Sequence, residues 1–211
     1  MTKTRIKICG ITTVEDAKLS HAEGADYIGL IFTDSSRRVT KAEARQIREA
    51  VPSAMLIGVF QDASLNEVVS TGRTCGLNMI QLHGNETPEY CDALLSKLSL
   101  PVIKAFTMNQ LPTADVLRQY TRTSYFMLDI DKNYNLVSKL NGHRDHLWSA
   151  AATLRRKGYR IFLAGGLNPE NVREAVKRVN PFGIDVASGI EKSPGVKDAQ
   201  ALSRFIAEAR S

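Results

Sequence analysis

Short aliphatic runs alternate with amphipathic stretches along the whole chain, and this alternation is the clearest structural signal in the sequence. Eight of these runs have the length and aliphatic content of buried strands. They lie near residues 5–9, 27–32, 55–60, 79–83, 102–106, 125–129, 160–164 and 183–187. A helical pattern follows each run, so the sequence predicts parallel strands joined by right-handed crossovers.

Eight strand–helix units in 211 residues predict an α/β fold of the (β/α)8 TIM-barrel type. The length is close to the lower limit for such barrels, which is about 200 residues. An open doubly wound sheet is the alternative, but it usually begins with a GxGxxG motif or a P-loop, and the sequence has neither. No linker-like change of composition divides the chain, so we expect residues 1–211 to form one barrel domain.

Several of the predicted helices begin with a capping signature. Thr12, Thr40 and Ser64 each precede a glutamate by three residues, which is the spacing of a capping box. Thr87 and Asn168 each precede a proline, which favours the first position of a helix. These signals place helix starts shortly after the predicted strands.

The alternation within strands predicts which side chains point into the barrel. In the first strand, Lys7 and Cys9 point to the side opposite Ile6 and Ile8. Polar side chains oppose the aliphatic face in three further strands, at Gln81, His83, Asp129 and Asp185. Because the aliphatic face should contact the helices, these polar groups should point inward. Cys9, His83 and Asp129 stand at carboxyl ends of strands, where the active sites of such barrels form.

The two last strands run into loops with features of an anion site. Gly165 and Gly166 follow the seventh strand, and Ser188 and Gly189 follow the eighth. Glycines let backbone N–H groups approach an anion, and a short helix from Ser188 would add its partial positive charge. Loops at these two positions commonly hold phosphate in barrels of this class. We therefore expect these four residues to bind a phosphate group.

Composition narrows the functional classes. The net charge is +6, but Lys and Arg are spread along the chain without a nucleic-acid motif, which leaves a small anionic ligand as the expected partner. The cysteines Cys9, Cys75 and Cys91 are scattered, so neither a disulfide framework nor a zinc site is indicated. No stretch resembles a signal peptide or a membrane span. We expect a cytoplasmic monomer with no cofactor, no metal, and neither a nucleic-acid nor a membrane partner.

Several stretches of the sequence occur in the same order in one known family. They are KICGIT from Lys7, QLHG from Gln81, LAGGL from Leu163, PENV from Pro169, GIDVASGIE from Gly183 and PGVKD from Pro194. Together they run from the first strand to the last helix. By these segments the chain resembles the phosphoribosylanthranilate isomerases of tryptophan biosynthesis, which are barrels of the ribulose-phosphate-binding type.

The resemblance implies an activity and roles for particular residues. The implied reaction is a cofactor-free Amadori rearrangement of N-(5-phosphoribosyl)anthranilate to 1-(2-carboxyphenylamino)-1-deoxyribulose 5-phosphate. Cys9 is then the general base and Asp129 the general acid, and Arg37 binds the anthranilate carboxylate. We also place His83 and Asp185 among the substrate-binding residues, although His83 suits a hydrogen-bonding role near the site as well.

Some assignments stay open on the sequence. Asp131 is the main rival of Asp129 for the acid, and Arg38 can replace Arg37 if the loop after the second strand is one residue short. Lys7 either lowers the pKa of Cys9 or forms an inward ion pair with a carboxylate such as Asp185. The residue pattern favours neither interpretation of Lys7.

The chain departs from the family pattern in two places. Residues 132–148 form a longer and more polar segment than the family's glycine-rich loop, and we expect mobility up to residue 144. Ala187 stands where the family commonly has a serine. The alternative functions are the histidine-pathway isomerase, disfavoured because the third strand lacks paired glycines for a second phosphate, and a catalytically inactive phosphosugar-binding barrel.

Overall fold

The eight predicted strands form one closed parallel barrel in which neighbours along the chain are neighbours in space. The structure is a computed structural model that describes residues 3–130 and 137–211. The strands are β1 Arg5–Cys9, β2 Tyr27–Ile31, β3 Met55–Phe60, β4 Met79–Leu82, β5 Val102–Thr107, β6 Tyr125–Asp129, β7 Ile161–Leu163 and β8 Gly183–Val186. Each predicted strand lies within one residue of the observed one at both ends, and the predicted (β/α)8 barrel is confirmed.

Helices on the outside of the barrel follow the strands. They are α1 Val14–Ala22, α2 Lys41–Ala50, α3 Leu65–Thr74, α4 Pro88–Leu98, α5 Ala114–Gln119, α6 Val137–Arg156, α7 Val172–Val179 and α8 Ala199–Arg210. Two 3₁₀ turns at Met108–Gln110 and Ser188–Ile190 add to these. A small antiparallel hairpin, β9 Glu191–Ser193 and β10 Val196–Lys197, is inserted between β8 and α8.

The helix starts confirm most of the capping predictions. Thr40 forms a full capping box, and the side chains of Ser64 and Thr87 accept from backbone amides three residues on. The prediction for Thr12 is wrong by one residue, because Thr13 caps α1. The prediction for Asn168 is also wrong, since its side chain caps a turn and α7 begins only at Val172.

The long segment after β6 differs from its prediction. Residues 137–148 belong to α6 and not to a polar loop, and Trp148 is fully buried. The expected mobility of residues 132–144 stays a prediction, and residues 132–136 lie outside the described residues. None of the helices in the described part has the length and apolar character that crossing a membrane requires.

The interior of the barrel is divided into an apolar and a polar part. Aliphatic and aromatic side chains fill the amino-terminal end, among them Ile57, Met127 and Phe162. Buried polar groups lie above them, nearer the carboxyl ends of the strands, at Lys7, Gln81 and Asp185. The inward direction predicted from strand parity thus places chemistry-bearing side chains at one mouth of the barrel.

Candidate active site

The end of β1 holds a thiol beside a buried ion pair. Lys7 has no solvent-exposed surface, and its Nζ donates to Asp185 Oδ1 over 2.8 Å. Cys9 follows two residues later on the same face of β1 and is 6% exposed. Its side chain packs with Ile31, Val59 and the methyl group of Ala187. The thiol therefore lies in a largely apolar surrounding, with the Lys7 ammonium group close by.

Gly29 in β2 makes this arrangement possible. It lies opposite Cys9 in the parallel pairing of β1 and β2. A Cβ at this position would lie 2.8 Å from Cys9 Sγ and 3.1 Å from Lys7 Cε, so both side chains occupy the space that a larger residue would fill. Sequence reasoning missed Gly29, because a glycine within a strand has many structural explanations.

Burial and charge act on the Cys9 thiol in opposite directions. Burial raises its pKa, the Lys7 ammonium lowers it, and the net pKa lies above the usual thiol value. Burial also disfavours the charged form of Lys7, but Asp185 more than offsets this and raises the pKa of Lys7. Both interpretations of Lys7 thus apply, since it pairs with Asp185 and lies beside Cys9, but it does not reverse the effect of burial.

Asp129 ends β6 and is oriented by two contacts. The backbone amide of Ile130 donates to its Oδ1 over 2.7 Å, and His83 Nε2 lies 3.5 Å from its Oδ2. The Gln81 amide nitrogen lies 2.9 Å from His83 Nδ1. With the Gln81 amide in this orientation, Nδ1 accepts, and a neutral His83 carries its proton on Nε2, facing Asp129.

The pKa values of this pair shift away from the ionised forms. Burial raises the pKa of Asp129, and neighbouring His83 only partly counteracts it. Burial lowers the pKa of His83, with the Asp129 carboxyl acting against that shift. Burial thus shifts the pKa of Asp129 in the direction that a general acid needs, and it disfavours the charged form of His83.

Arg37 lies in the loop after β2 and is held by a carboxylate. Its Nε donates to Glu191 Oε1 over 2.9 Å and its Nη2 donates to Oε2 over 2.6 Å. Its side chain is 13% exposed, whereas Arg38 belongs to the exposed residues. The register that puts Arg37 at the mouth therefore agrees better with the structure than the alternative with Arg38.

The hairpin β9–β10 contributes two groups that sequence reasoning missed. Glu191, which holds Arg37, also accepts from Lys197 Nζ over 2.8 Å. The same ammonium donates to the carbonyl oxygens of Cys9 and Ala187, over 2.7 and 3.3 Å. Glu191 and Lys197 lie within two of the segments shared with the family, GIDVASGIE and PGVKD. The signal that could have singled them out is a charged side chain at a buried position of a strand.

The two loops predicted to bind phosphate meet between Cys9 and Asp129. Gly165 and Gly166 adopt positive φ after β7, and Ser188 begins a 3₁₀ turn after β8. Gly189 in that turn packs so tightly against the Leu167 carbonyl oxygen that a side chain would collide with it. Since β7 and β8 lie between β6 and β1, the two loops separate Asp129 from Cys9 along the rim.

Two sequence predictions concern residues that lie partly or wholly outside the described ranges. Asp131, the rival for the acid, lies outside the described residues, and so do residues 132–136. In the described ranges 3–130 and 137–211, no group of three His, Cys, Asp or Glu side chains is arranged to hold a metal ion. What the described residues bring together at a single mouth is one thiol, one carboxyl group with a raised pKa, a largely buried arginine and two glycine-containing loops.

A comparison with protein families gives one match over almost the whole chain. The family model described as "N-(5'phosphoribosyl)anthranilate (PRA) isomerase" matches residues 6–208. A relative of that name from Geobacter sp. (strain M21) is 42% identical over 209 residues, which cover 98% of each chain. Another from Thermotoga neapolitana is 38% identical over 212 residues, again covering 98% of each chain.

Solved structures give the same result. Phosphoribosyl anthranilate isomerase from Thermotoga maritima superimposes with a TM-score of 0.84 at 34% identity, covering 98% of both chains. A second such isomerase was solved in complex with reduced 1-(o-carboxyphenylamino)-1-deoxyribulose 5-phosphate and superimposes with a TM-score of 0.81 at 33% identity, with 98% of both chains covered. The match to the family model, the similar relatives and the shared barrel fold together show that the chain belongs to the N-(5'-phosphoribosyl)anthranilate isomerase family.

Proposed function

We propose that this isomerase rearranges N-(5'-phosphoribosyl)anthranilate with Cys9 as general base and Asp129 as general acid, as a step of tryptophan biosynthesis. The observation that carries this division of roles is the shared mouth: a thiol ends β1, a carboxyl group ends β6, and two glycine-containing loops lie between them. One acid and one base at opposite sides of a sugar suffice for an Amadori rearrangement.

The acid acts first, at the ring oxygen of the ribose. Asp129 transfers its proton to that oxygen, the bond from C1 to the ring oxygen breaks, and the anilino nitrogen forms a double bond to C1. An unperturbed aspartate has a pKa of about 3.9 and is almost fully ionised at neutral pH. Burial raises the pKa of Asp129, which increases the fraction that carries a proton.

The base acts second, at C2 of the opened sugar. The Cys9 thiolate removes the C2 proton, and the electrons of that bond form the enolamine and neutralise the iminium nitrogen. Protonation at C1 and loss of the proton from the O2 hydroxyl then give the ketone. Lys7 supports this step because its ammonium lies beside the sulfur and favours the thiolate.

The two anionic ends of the substrate fit different parts of the mouth. Backbone amides of Gly165, Gly166, Ser188 and Gly189 are suited to the phosphate. Arg37 is suited to the anthranilate carboxylate, since a guanidinium can bind a carboxylate through two parallel hydrogen bonds. His83 and Asp185 line the same mouth, where they orient Asp129 and Lys7.

The direct test is turnover of N-(5'-phosphoribosyl)anthranilate by the purified chain, followed by chromatographic detection of the deoxyribulose phosphate product. The aminoimidazole-type substrate of the histidine-pathway isomerase serves as the second substrate in the same assay. Its second phosphate is poorly matched here, because the loop after β3 presents the Asp62 carboxylate, which accepts from the Asn85 amide over 2.7 Å. Turnover of neither substrate would support an inactive phosphosugar-binding barrel.

Oligomeric state and location remain predictions. One solved relative from Thermotoga maritima is described as a dimeric enzyme from which monomers were generated. For this chain we propose a monomer with a small phosphorylated substrate in the cytoplasm. Light scattering coupled to size-exclusion chromatography would show a mass near 23.3 kDa for a monomer and twice that mass for a dimer.

A further inference from the structure

A buried cluster of three charged side chains connects the hairpin β9–β10 to the mouth. It consists of Arg37, Glu191 and Lys197, whose side chains are 13%, 4% and 0% exposed. We call it the hairpin cluster. The roles proposed above use only Arg37, so the reason for burying the other two charges is unexplained by the isomerase mechanism. Burying two charges is costly, and a pair of apolar residues of similar volume is often at least as stable.

The hydrogen bonds of Arg37 show which of its N–H donors the hairpin cluster uses. Glu191 accepts from Nε and Nη2, which form one lateral edge of the guanidinium group. A guanidinium has five N–H donors in a planar fork. The adjacent edge, formed by Nη1 and the second Nη2 proton, has no acceptor in the described part of the chain. That edge has the geometry to bind a second carboxylate through two parallel hydrogen bonds.

Gly10 fixes where the arginine side chain lies. This residue adopts φ of +71°, and a Cβ there would lie only 2.5 Å from Arg37 Cδ. The aliphatic stem of Arg37 therefore lies directly over the backbone that follows Cys9. A glycine after the strand-ending cysteine is explained by this contact as well as by its left-handed backbone.

Lys197 joins the cluster to the backbone around the base. It donates to Glu191, to the Cys9 carbonyl oxygen and to the Ala187 carbonyl oxygen. The Thr12 hydroxyl adds a 2.6 Å bond to the carbonyl oxygen of Gly195 in the same hairpin. Lys197 thus holds the carboxylate of Glu191, and Glu191 in turn holds Arg37. These contacts fix the position of Arg37 relative to the end of β1.

We infer that Glu191, held by Lys197, is a positioning residue that presents the free edge of Arg37 to the carboxylate of the substrate. The inference deepens the proposed function and rests on Arg37 being the carboxylate ligand. Without Glu191, Arg37 would have to be ordered during binding. Ordering one long side chain weakens binding by up to about tenfold.

The experiment is a double-mutant cycle on the KM for N-(5'-phosphoribosyl)anthranilate, built from Glu191→Gln, Arg37→Ala and the double variant. We expect Arg37→Ala to raise KM about tenfold to hundredfold. Glu191→Gln should raise KM about five- to tenfold with little change in kcat, and it should add nothing in the Arg37→Ala background. Inhibition by inorganic phosphate should be unchanged in all three, since phosphate does not need Arg37.

Two further variants separate positioning from general damage. Glu191→Asp keeps the charge that Lys197 requires but is too short to hold the arginine in the same place, so KM should rise as in Glu191→Gln. Glu208→Gln removes a comparable 2.7 Å contact, with Arg173 between α7 and α8, and should leave KM unchanged.

The outcomes distinguish the inference from the proposed function. If Arg37→Ala leaves KM unchanged, the carboxylate role of Arg37 fails, and the inference fails with it. If Arg37→Ala raises KM while neither Glu191 variant does, only the inference is overturned. It is also overturned if Glu191→Gln lowers KM, because Glu191 would then compete with the substrate, or if it raises KM further in the Arg37→Ala background.

Discussion

Cys9 at the end of β1 and Asp129 at the end of β6 stand at the same mouth, and burial raises the pKa of both groups. For Asp129 the shift is useful, because an acid must carry its proton before the reaction. For Cys9 the same shift is a hindrance, because a base must have lost its proton. Each side also has a neighbour that acts against burial, the ammonium group of Lys7 beside Cys9 and the imidazole of His83 beside Asp129.

The comparison teaches that the reactive form of the free enzyme is a minor one. The reaction needs a thiolate together with a protonated carboxyl group, whereas the ordinary pKa of a thiol lies above that of a carboxyl group and burial raises both. The population of that form is constant between the two pKa values and falls outside them. The acid limb of a kcat/KM profile then reports Asp129 and the alkaline limb reports Cys9, which reverses the usual assignment of base and acid.

Removing either group should have the largest effect. Cys9→Ala and Asp129→Asn should each lower kcat about 10²–10⁴-fold, since one general acid or base contributes on that scale. Cys9→Ser should recover little, because a hydroxyl group forms far less of the anionic base than a thiol. Steady-state kinetics with the ribosylanthranilate substrate measures these effects. Cys75→Ala, which removes a buried thiol in the helix layer, is the matched control, and near-normal kcat in Cys9→Ala would remove Cys9 from the mechanism.

Gly29→Ala, which changes the surroundings of Cys9, should have a smaller effect on kcat that leaves KM nearly unchanged. The added methyl group would collide with Cys9 Sγ and Lys7 Cε, so both side chains must shift. A displacement of about 1 Å in a reacting group costs up to about 100-fold in rate. We expect kcat to fall roughly tenfold to 100-fold, with KM little changed, because phosphate and carboxylate contacts lie elsewhere.

Gly58→Ala provides the control for this substitution. Gly58 lies in the neighbouring strand β3, and a Cβ there would collide with the buried side chain of Leu77, which lies between α3 and β4. The control should lower the free energy of unfolding by about 1–3 kcal/mol, as overpacking of a core does, while kcat is retained in the folded enzyme. Equal loss of kcat in both variants would show that Gly29 acts through stability alone.

The smallest effect is expected on the acid side from His83→Asn. The imidazole N–H faces Asp129 Oδ2 and favours the ionised carboxylate, and His83 is among the groups that lower the pKa of Asp129. Without it that pKa should rise, so the acid limb of the kcat/KM profile should move to higher pH while kcat changes only a few-fold. A shift of the acid limb to lower pH would mean that His83 stabilises the protonated form instead.

The barrel itself was predictable because its signals are local. Strand runs such as residues 55–60 and 125–129 are short, nearly continuous apolar segments, as expected of parallel strands buried on both faces. The two wrong helix starts, at Thr12 and Asn168, show where local signals compete. In both loops a second capping-competent residue lies nearby, Thr13 and Asn171, and the tertiary position of the loop decides between them.

The site was predictable only where a motif or strand parity marks it. Cys9 and Asp129 carry both signals. Gly29 and Lys197 gain their meaning from partners far along the chain, since Lys197 contacts the carbonyl group of Cys9 across 188 positions. Such contacts depend on closure of the barrel between β8 and β1, which no local pattern describes. For the same reason the balance between burial and Lys7 at Cys9 was not deducible from their spacing.

The central claim is that burial outweighs Lys7, so that the free enzyme keeps Cys9 mainly as a thiol at neutral pH. A pH titration of thiolate absorbance measures this directly, as the difference between the wild-type enzyme and Cys9→Ala. The account predicts a pKa above the usual thiol value of about 8.5, coinciding with the alkaline limb of kcat/KM. It also predicts a still higher value in Lys7→Met. A titration midpoint below the usual value, or one that coincides with the acid limb, would contradict the account.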